Sequence, residues 1–362
     1  MDFGLSQEQL LLKDTIKRFL AEQCPTTRVR QIMESASGHD EKLWTGLMEL
    51  GVGGLLIAAE HDGSERELLD LALVAEELGY AAAPGPFLAS AMATVALIES
   101  GDPAVQARWL PRLAAGDAIG TVAIGEEGSE WNPERLQSRA RDGRLSGAKS
   151  LVPFASVADF IVVAARDDDG IGLWLMERGA PGVDITRLPG NDMTRRLDAV
   201  HLKDVPAAKL PSGGTAVVRV IDAGLVLIAA DAYGGARRCL DMSRTYALQR
   251  EQFGQPIGAF QAVKHQLANL ATELEPSLSL YWYAAHAFDR IREQSSCHAA
   301  LAKAHLTDLF DRAARDATEL HGGIGFTWEF DLHLWFRRAI FDRSFLGDAN
   351  YHRARGADLA GW

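Results

Sequence analysis

The helical pattern in the last third of the chain is interrupted by Glu319-Leu320-His321-Gly322-Gly323-Ile324-Gly325-Phe326-Thr327-Trp328-Glu329, where three glycines are followed by a carboxylate. Because glycine has no Cβ, its backbone can approach a flat ligand closely or adopt positive φ at little steric cost. One interpretation is that this turn holds Glu329 as a general base against a cofactor. The other is that a glycine cap ends one helix and Glu329 is a solvated residue at the start of the next. Both interpretations remain open on this segment alone.

A second informative segment is Arg244–Gln261, which reads RTYALQREQFGQPIGAFQ. Arg250 falls at the end of a predicted long helix, and Phe253-Gly254 and Pro256 turn the chain just beyond it. An arginine in this position can pair bidentately with phosphate oxygens, and a neighbouring aromatic side chain can cover a ring system. The alternative is that Arg250 is a cation at a helix C-terminus that interacts with the helix dipole.

Composition predicts an ordinary globular protein. A chain of 362 residues should divide into two or three domains. Hydrophobic residues at 47% and charged residues at 24% are near the globular average. The formal charge of −12 disfavours nucleic acid as a partner.

The cysteines and the apolar segments indicate the cellular compartment of the protein. The three cysteines, Cys24, Cys239 and Cys297, form no CxxC pair, which is typical of a reducing compartment. We find no secretion signal and expect no membrane-spanning segment, so the sequence predicts a soluble, cytoplasmic protein. His298, His305 and His321 lack the accompanying ligands of a zinc motif, and we predict no metal site.

The periodicity predicts three domains. Residues 1–118 read as helices, beginning with a capping box formed by Ser6 and Gln9. Residues 119–212 read as short strands with tight turns, among them Asp142-Gly143, and predict an antiparallel barrel or sandwich. Residues 213–362 return to the helical period, in which Pro276 should kink or interrupt a helix. Strands are expected at 119–124, 137–141, 145–151, 160–165, 171–176, 183–188 and 199–202.

These motifs together resemble the acyl-CoA dehydrogenases, flavoenzymes that introduce an α,β double bond into acyl-CoA thioesters. The resemblance begins with Met1-Asp2-Phe3 and includes Glu76-Glu77-Leu78-Gly79. It is most specific in the segment from Arg250 to Gln261 and in the Gly322-Gly323-Ile324-Gly325-Phe326 turn. The two C-terminal motifs at their mutual distance, within a helix–sheet–helix order, make the signal strong.

The resemblance implies an α+β fold with an N-terminal helical domain, a middle antiparallel β-barrel and a C-terminal four-helix bundle. FAD would lie between the barrel and the bundle and reach a neighbouring subunit of a tetramer. Position by position, the residues that match FAD contacts of the family are Arg250, Gln252, Phe253, Gln261, Gly322 and Gly323, and Glu319 stands close to a further one.

Glu329 resembles the catalytic base of the family. It would remove the α-proton of the thioester, while a hydride leaves the β-carbon for the flavin, giving a trans-2-enoyl-CoA. Burial beside the flavin would make the carboxylate a stronger base, and fixed donors would stabilise the enolate-like charge. The electron acceptor would be an electron-transfer flavoprotein. Some members carry the base in the long helix, at a place that falls here at Gly224, with Asp222 a distant second.

Four departures from the family pattern stand out. Gly125-Glu126-Glu127-Gly128-Ser129 replaces a Thr-Glu-Pro-like run that contacts the flavin, and the segment 149–156 lacks the usual tryptophan. The usual glutamine before the glycine turn is changed, with Glu319 close to its place, and a negative charge near a diphosphate is unfavourable. Leu346-Gly347-Asp348 replaces Glu-Gly-Thr.

These departures resemble a subgroup known from bacterial steroid degradation, in which unlike subunits often form an α2β2 tetramer. The sequence therefore predicts an FAD-dependent acyl-CoA dehydrogenase acting on a bulky acyl group, as a homotetramer or an α2β2 heterotetramer. Two alternatives remain open. The chain could be a flavin-poor subunit that completes the active site of another chain, or a flavin oxidase on the same fold.

Overall fold

A computed structural model describes residues 4–129 and 131–362 of the chain. The predicted start of the family resemblance, Met1-Asp2-Phe3, lies outside the described residues. The order of elements is helices, then strands, then helices.

Six helices form the N-terminal part. Ser6 caps the first helix, and Gln9 completes the capping box as predicted. Glu67 is the N-cap of the fourth helix, and Asp70 completes that capping box. The helices are α1 (Gln7–Gln23), α2 (Thr26–Glu34), α3 (Glu41–Glu49), α4 (Leu68–Tyr80), α5 (Phe87–Ile98) and α6 (Pro103–Ala115).

The middle part is a mixed sheet of eight strands. Its strands are β1 (Gly120–Ala123), β2 (Arg139–Arg141), β3 (Arg144–Pro153), β4 (Phe160–Asp167), β5 (Gly170–Glu177), β6 (Val183–Arg187), β7 (Leu197–Pro206) and β8 (Ala208–Leu210). The order is β6-β7-β3-β2-β4-β5-β8, with β1 paired to β4. The hairpin at Asp142-Gly143 forms as expected, since both residues adopt the positive φ of this turn.

Two features of the sheet differ from the prediction. Strands β1 and β4 run parallel, as do β2 and β4, so the sheet is not purely antiparallel. The pairings among the described residues leave β6 and β8 at the two ends. A closed barrel is therefore not confirmed. Strand β8 was not foreseen, because a strand of only three residues, Ala208–Leu210, is too short to show a recognisable alternation.

The C-terminal part consists of three long helices and two shorter ones, where a four-helix bundle was predicted. They are α7 (Gly213–Gln249), α8 (Gln261–Arg290), α9 (Arg292–His321), α10 (Leu332–Ser344) and α11 (Ala349–Leu359). Two-residue strands, β9 (Glu251–Gln252) and β10 (Gln255–Pro256), form the turn between α7 and α8.

Pro276 was expected to kink or interrupt a helix, and the interruption is contradicted, since α8 runs through this residue without a break. Pro276 is exposed. The hydroxyl of Ser277 donates to the carbonyl of Glu273, and that of Ser279 donates to the carbonyl of Pro276 itself. Both serine hydroxyls thus bond back to helix carbonyls three or four residues earlier, close to the proline.

A fully buried guanidinium joins the three parts of the molecule. Arg338 on α10 donates to Asp192 at 2.7 Å, to Asp231 on α7 at 3.1 Å and to the carbonyl of Ala83 at 3.1 Å. Asp192 precedes β7, and Ala83 follows α4. The network therefore fixes the sheet and the N-terminal helices against the C-terminal helices.

Helix α7 is long and apolar enough to cross a membrane by length and composition, which the sequence analysis did not expect. However, 78% of its most apolar window is buried inside the chain. The core of all three parts packs around this helix, with Val220, Leu225, Ile228 and Ala232 among its fully buried residues. A buried helix of this kind is typical of the core of a soluble protein.

Candidate active site

The structure brings the two C-terminal motifs together at the end of α7. Tyr246, in the last turn of α7, stacks on His321 with ring centroids 4.3 Å apart, and its hydroxyl donates to the carbonyl of His321 at 3.4 Å. Arg250 follows one turn later and its backbone N–H donates to the carbonyl of Tyr246. His321 directly precedes Gly322. The Arg250 turn and the glycine turn therefore form one surface, which we call the motif surface.

All predicted site residues on or beside this surface are exposed in the single chain. They are Arg250, Gln252, Phe253, Gln261, Glu319, Gly322, Gly323 and Glu329. Phe253 is the extreme case at 92% exposed, with φ of 55°. An aromatic side chain in a strained backbone conformation and almost wholly in water is unusual for a monomer surface. The arrangement is typical of a surface that is covered in an assembly.

The motif surface fits the diphosphate side of a dinucleotide. Among the described residues, no carboxylate lies within ion-pair distance of Arg250, which leaves its guanidinium free for an anion. A Cβ placed on Gly322 or Gly323 would meet nothing within 4 Å, so a ligand can approach both backbones. Glu319 is exposed close to this turn, and its charge works against an anion there.

Glu329 lies on the same side of the molecule. Its neighbour Trp328 stacks on His333 at 4.4 Å and lies beneath the guanidinium groups of Arg30 and Arg337. On the other side, Phe330 packs against His321 at 4.9 Å. Aromatic contacts thus hold the residues on either side of Glu329, while Glu329 itself is exposed. Its catalytic role stays a prediction.

A cavity of about 470 Å³ lies beneath the motif surface. Tyr246, Gln249, His321 and Phe330 line it, together with Tyr80 from the end of α4. His321 lines this cavity, and His333 stacks on Trp328.

A second, larger cavity has a volume of about 590 Å³. It lies between the loop after β1 and the helices α7 and α11, and we call it the α7–α11 cavity. Trp131, Ile171, Val217, Ile221 and Leu346 form much of its apolar wall. Its size is in the range of sites for small molecules.

The resemblance indicates an acidic residue at two places, Gly224 and Leu346, and neither carries a carboxylate here. Leu346 lines this cavity, and Gly224 packs against Leu346. A Cβ on Gly224 would come within 2.8 Å of Leu346 Cδ1, so the two residues are in contact. Asp222, the second candidate base, is buried and accepts hydrogen bonds from Ser296 at 2.6 Å and from Arg355 at 3.1 Å. Asp222 is therefore already paired with the guanidinium of Arg355.

The two cavities lie at opposite ends of α7. Ile221 lines one and Tyr246 lines the other, and the helical rise of about 1.5 Å per residue separates them by about 38 Å. Glu329, beside Phe330, is at the Tyr246 end. It can therefore serve only a ligand bound at the motif surface, not one inside the α7–α11 cavity of its own chain.

The middle-domain segments that depart from the family pattern form a buried ion pair. Lys149 on β3 is wholly buried and donates to Glu126 at 2.5 Å. Glu126 also accepts from the backbone N–H groups of Gln137 and Ser138. Burial lowers the pKa of Lys149 to about 8, although the carboxylate of Glu126 opposes that shift. The polar groups of this segment thus satisfy each other and leave few donors for a flavin ring.

Two further buried titratable groups were not identified from the sequence. Lys303 on α9 donates to the carbonyls of Gly347 at 2.8 Å and Arg343 at 3.3 Å, and burial lowers its pKa to about 7. His352 on α11 is wholly buried, and its pKa falls to about 3 because of burial and of the nearby charge of Lys303. A single sequence shows no signal for either, since both belong to ordinary amphipathic helices.

The remaining candidate groups are structural. Trp335 is buried and donates to the carbonyls of Gly79 and Tyr80, as expected of a core residue. Cys24 and Cys239 are buried, and burial raises the pKa of the Cys24 thiol to about 12. Among residues 4–129 and 131–362, no group of three or more potential ligands is placed to hold a metal.

Comparison with known protein families matches both ends of the chain. The model for the acyl-CoA dehydrogenase N-terminal domain matches residues 6–117, and that for the acyl-CoA dehydrogenase C-terminal domain matches residues 212–360. The acyl-CoA dehydrogenase IpdE2 of Mycolicibacterium smegmatis is 33% identical over 344 residues, covering 95% of this chain and 96% of that protein.

Solved structures share the whole fold. A variant of the Tcur3481–Tcur3483 steroid ACAD is 29% identical, with a TM-score of 0.91 over 98% of both chains. The ChsE4–ChsE5 complex from Mycobacterium tuberculosis is 26% identical, with a TM-score of 0.91 over the full length of both chains. A glutaryl-CoA dehydrogenase from Mycobacterium smegmatis in complex with FADH2 shares the fold at 24% identity and a TM-score of 0.90, over 99% of this chain and 96% of that one.

The matched domains, the full-length relative and the joined Arg250 and glycine turns agree with the resemblance read from the sequence. The chain belongs to the acyl-CoA dehydrogenase family.

Proposed function

We propose that this chain is a subunit of an FAD-dependent enzyme that dehydrogenates the CoA thioester of a bulky acyl group to a trans-2-enoyl-CoA. The observation that carries the proposal is the motif surface, where an unpaired Arg250 and the open backbones of Gly322 and Gly323 lie together. The similarity to a steroid ACAD supports a bulky acyl group.

The motif surface would hold the diphosphate and adenosine side of FAD. Arg250 pairs with phosphate oxygens, Gln252 and Gln261 donate hydrogen bonds, and Phe253 covers a ring. Because these residues are all exposed in the single chain, a neighbouring subunit would have to cover the group that they hold. When bound, FAD supplies the ring that accepts a hydride from the β-carbon of the thioester.

Glu329 is the proposed base. It takes the α-proton while donors fixed in the assembled site stabilise the charge that develops on the thioester carbonyl. Since Glu329 is exposed in the single chain, the exclusion of water that this role requires comes from the neighbouring subunit and the bound ligands. The enzyme would be a cytoplasmic homotetramer or α2β2 heterotetramer with an electron-transfer flavoprotein as electron acceptor.

A second candidate function is that of a flavin-poor subunit which completes the site of an unlike partner. Two observations favour it. The apolar contact of Gly224 with Leu346 leaves the α7–α11 cavity without a carboxylate at either position that the resemblance indicates. The buried pair of Lys149 and Glu126 uses the polar groups of the middle domain that would otherwise face a flavin ring.

Purification separates the two candidates. The chain is prepared alone and together with whatever co-purifies from the native host, and each sample is measured for flavin absorbance per chain and for turnover of an acyl-CoA panel. One flavin per chain with turnover in the sample of the chain alone supports the first candidate. Flavin and turnover only in the co-purified assembly support the second.

An Arg250→Met variant should release flavin from either flavin-containing sample, whereas Arg312→Met, on the exposed surface of α9, should not. Equal flavin content in Arg250→Met and wild type would contradict both candidates.

A further inference from the structure

The indole of Trp131 lies where three of the four departures from the family pattern meet. A Cβ placed on Gly125, in the first of these segments, would lie 3.0 Å from the indole and 2.8 Å from the carbonyl oxygen of Ser150, in the second. Phe345, directly before Leu346 of another, contacts the indole edge to face, with ring centroids 5.1 Å apart. One aromatic side chain thus touches both the middle part and the C-terminal part of the molecule.

The chain before and after Trp131 is fastened to the sheet by one carboxylate. Glu126, which precedes Trp131, pairs with the buried Lys149 of β3. The same carboxylate accepts hydrogen bonds from the backbone N–H groups of Gln137 at 2.5 Å and Ser138 at 3.1 Å, which follow Trp131. The sheet therefore sets the position from which the indole reaches the helices.

Contacts with the helical part hold the indole in place. Phe345 stacks on Phe341 of α10 with ring centroids 5.1 Å apart, so Trp131 extends an aromatic cluster of this helix. Val217 and Ile221 of α7 line the α7–α11 cavity together with Trp131. The backbone of Trp131 has φ of 62°, which is unfavourable for a large side chain and persists only where surrounding contacts maintain it. The fold therefore keeps the indole here against a local cost.

The indole stands where the resemblance expects a flavin ring, between the middle domain and the C-terminal helices. We call this place, between Gly125 and Phe345, the ring site. A bound flavin ring needs a planar space there and a few polar groups that face its heteroatoms. The indole takes the planar space, and the polar groups of Lys149 and Glu126 bond to each other. The ring site therefore does not fit a flavin ring, whereas the motif surface fits the diphosphate side.

We propose that the indole of Trp131 occupies the place of the flavin ring in this chain, so that the ring site is closed while the motif surface stays open to a flavin whose ring lies in another chain. This inference rests on the second candidate function, which it deepens by naming the residue that closes the site. Removal of this one side chain should therefore open the ring site.

The test uses lumiflavin, which consists of the flavin ring without phosphate or adenosine and therefore does not depend on Arg250. Fluorescence titration of the full chain, freed of flavin, measures its affinity. We expect Trp131→Gly to bind lumiflavin at least about tenfold more tightly than wild type, because glycine vacates the space and adopts positive φ at little cost. Trp362→Gly, which removes an indole that is 93% exposed, should bind as weakly as wild type.

A second variant and a second ligand keep the test decisive. If Trp131→Gly does not fold, Trp131→Asn takes its place, since asparagine also tolerates positive φ. Free indole is titrated in parallel, and a variant that binds indole but not lumiflavin would overturn the proposal, because the substitution would have left only a hole of the size of the removed side chain. Equal lumiflavin affinity of wild type and the variants would also overturn it. Because this binding requires neither Arg250 nor turnover, an assembly that dehydrogenates no acyl-CoA would count against the proposed function alone.

Discussion

Gly234 of α7 packs directly on the carbonyl oxygen of Glu76 in α4, so closely that a Cβ on Gly234 would lie 1.8 Å from that oxygen. One turn away the contact is reciprocated, because a Cβ on Gly79 of α4 would lie 2.0 Å from the carbonyl oxygen of Asp231. The two helices therefore meet backbone to backbone. This approach brings Glu76 within reach of Arg237 and of the buried hydroxyl of Tyr281, which donates to it at 2.6 Å.

We expect Gly234→Ala to destabilise the protein by about 3 kcal/mol, at the upper end of overpacking costs, since a backbone atom cannot move aside as a side chain can. The measurement is the free energy of unfolding by urea. Gly179→Ala is the matched control, because its Cβ would meet nothing within 4 Å. A stability change of Gly234→Ala that is no larger than that of the control would show that the helices can separate without cost.

For Glu329→Gln we expect a folded assembly that keeps its flavin but exchanges the α-proton of an acyl-CoA at least about 100-fold more slowly, because the amide cannot accept the proton. Deuterium incorporation followed by mass spectrometry measures this rate. Glu60→Gln, another exposed carboxylate, should leave it unchanged. If Glu329→Gln exchanges at the wild-type rate, the base lies on another residue or another chain.

The buried amine of Lys303 should make stability depend on pH above neutrality. Its folded-state pKa is lowered to about 7 by burial, from an ordinary value of 10.5. Between these two values the unfolded state binds more protons than the folded state, so the contribution of this group to the free energy of unfolding rises with pH. The slope approaches about 1.4 kcal/mol per pH unit.

The prediction is checked by urea denaturation of wild type and Lys303→Met at several pH values from 7 to 10. The difference in unfolding free energy between the two proteins should change steadily over this range. Lys42→Met, which removes an exposed amine, should track wild type throughout. A constant difference between Lys303→Met and wild type would mean that Lys303 stays charged in the folded protein.

Loss of the Arg338 guanidinium should be among the most damaging single changes. Arg338→Met leaves Asp192 and Asp231 buried without their common cation, which costs about 3–5 kcal/mol. Arg338→Lys should rescue little, because an ammonium cannot reach two carboxylates and a carbonyl in one plane. Thermal unfolding of the three proteins measures the effect, and near-wild-type stability of Arg338→Lys would show that charge alone is sufficient.

The sequence was informative where a feature is local. The switch from helical to alternating periodicity, the Asp142-Gly143 turn and the helix end at Arg250 all depend on residues within a few positions of each other, and the structure shows each of them. The proximity of the Arg250 and Gly322 turns required the family resemblance, because their contact through Tyr246 and His321 spans 75 positions.

Other features could not be predicted because a sequence pattern does not show which groups the fold brings into contact. Lys149 looks like an exposed residue of an alternating strand until the fold places Glu126 beside it. His352 looks like an ordinary helix residue until the carbonyl of Leu346 fixes its tautomer. Pro276 suggested a kink or a break, whereas α8 continues through it. The environments of Lys149 and His352 become visible only when the fold places their partners beside them.

Helix α7 runs without a break from the wall of the α7–α11 cavity to the motif surface. Its length holds these two places about 38 Å apart, and no break in the helix shortens that distance. A cofactor that needs both kinds of surface must therefore take them from two different chains. The number of complete sites in an assembly would then equal the number of interfaces that join the two kinds of surface. Where unlike chains meet, the number of complete sites would be smaller than the number of chains.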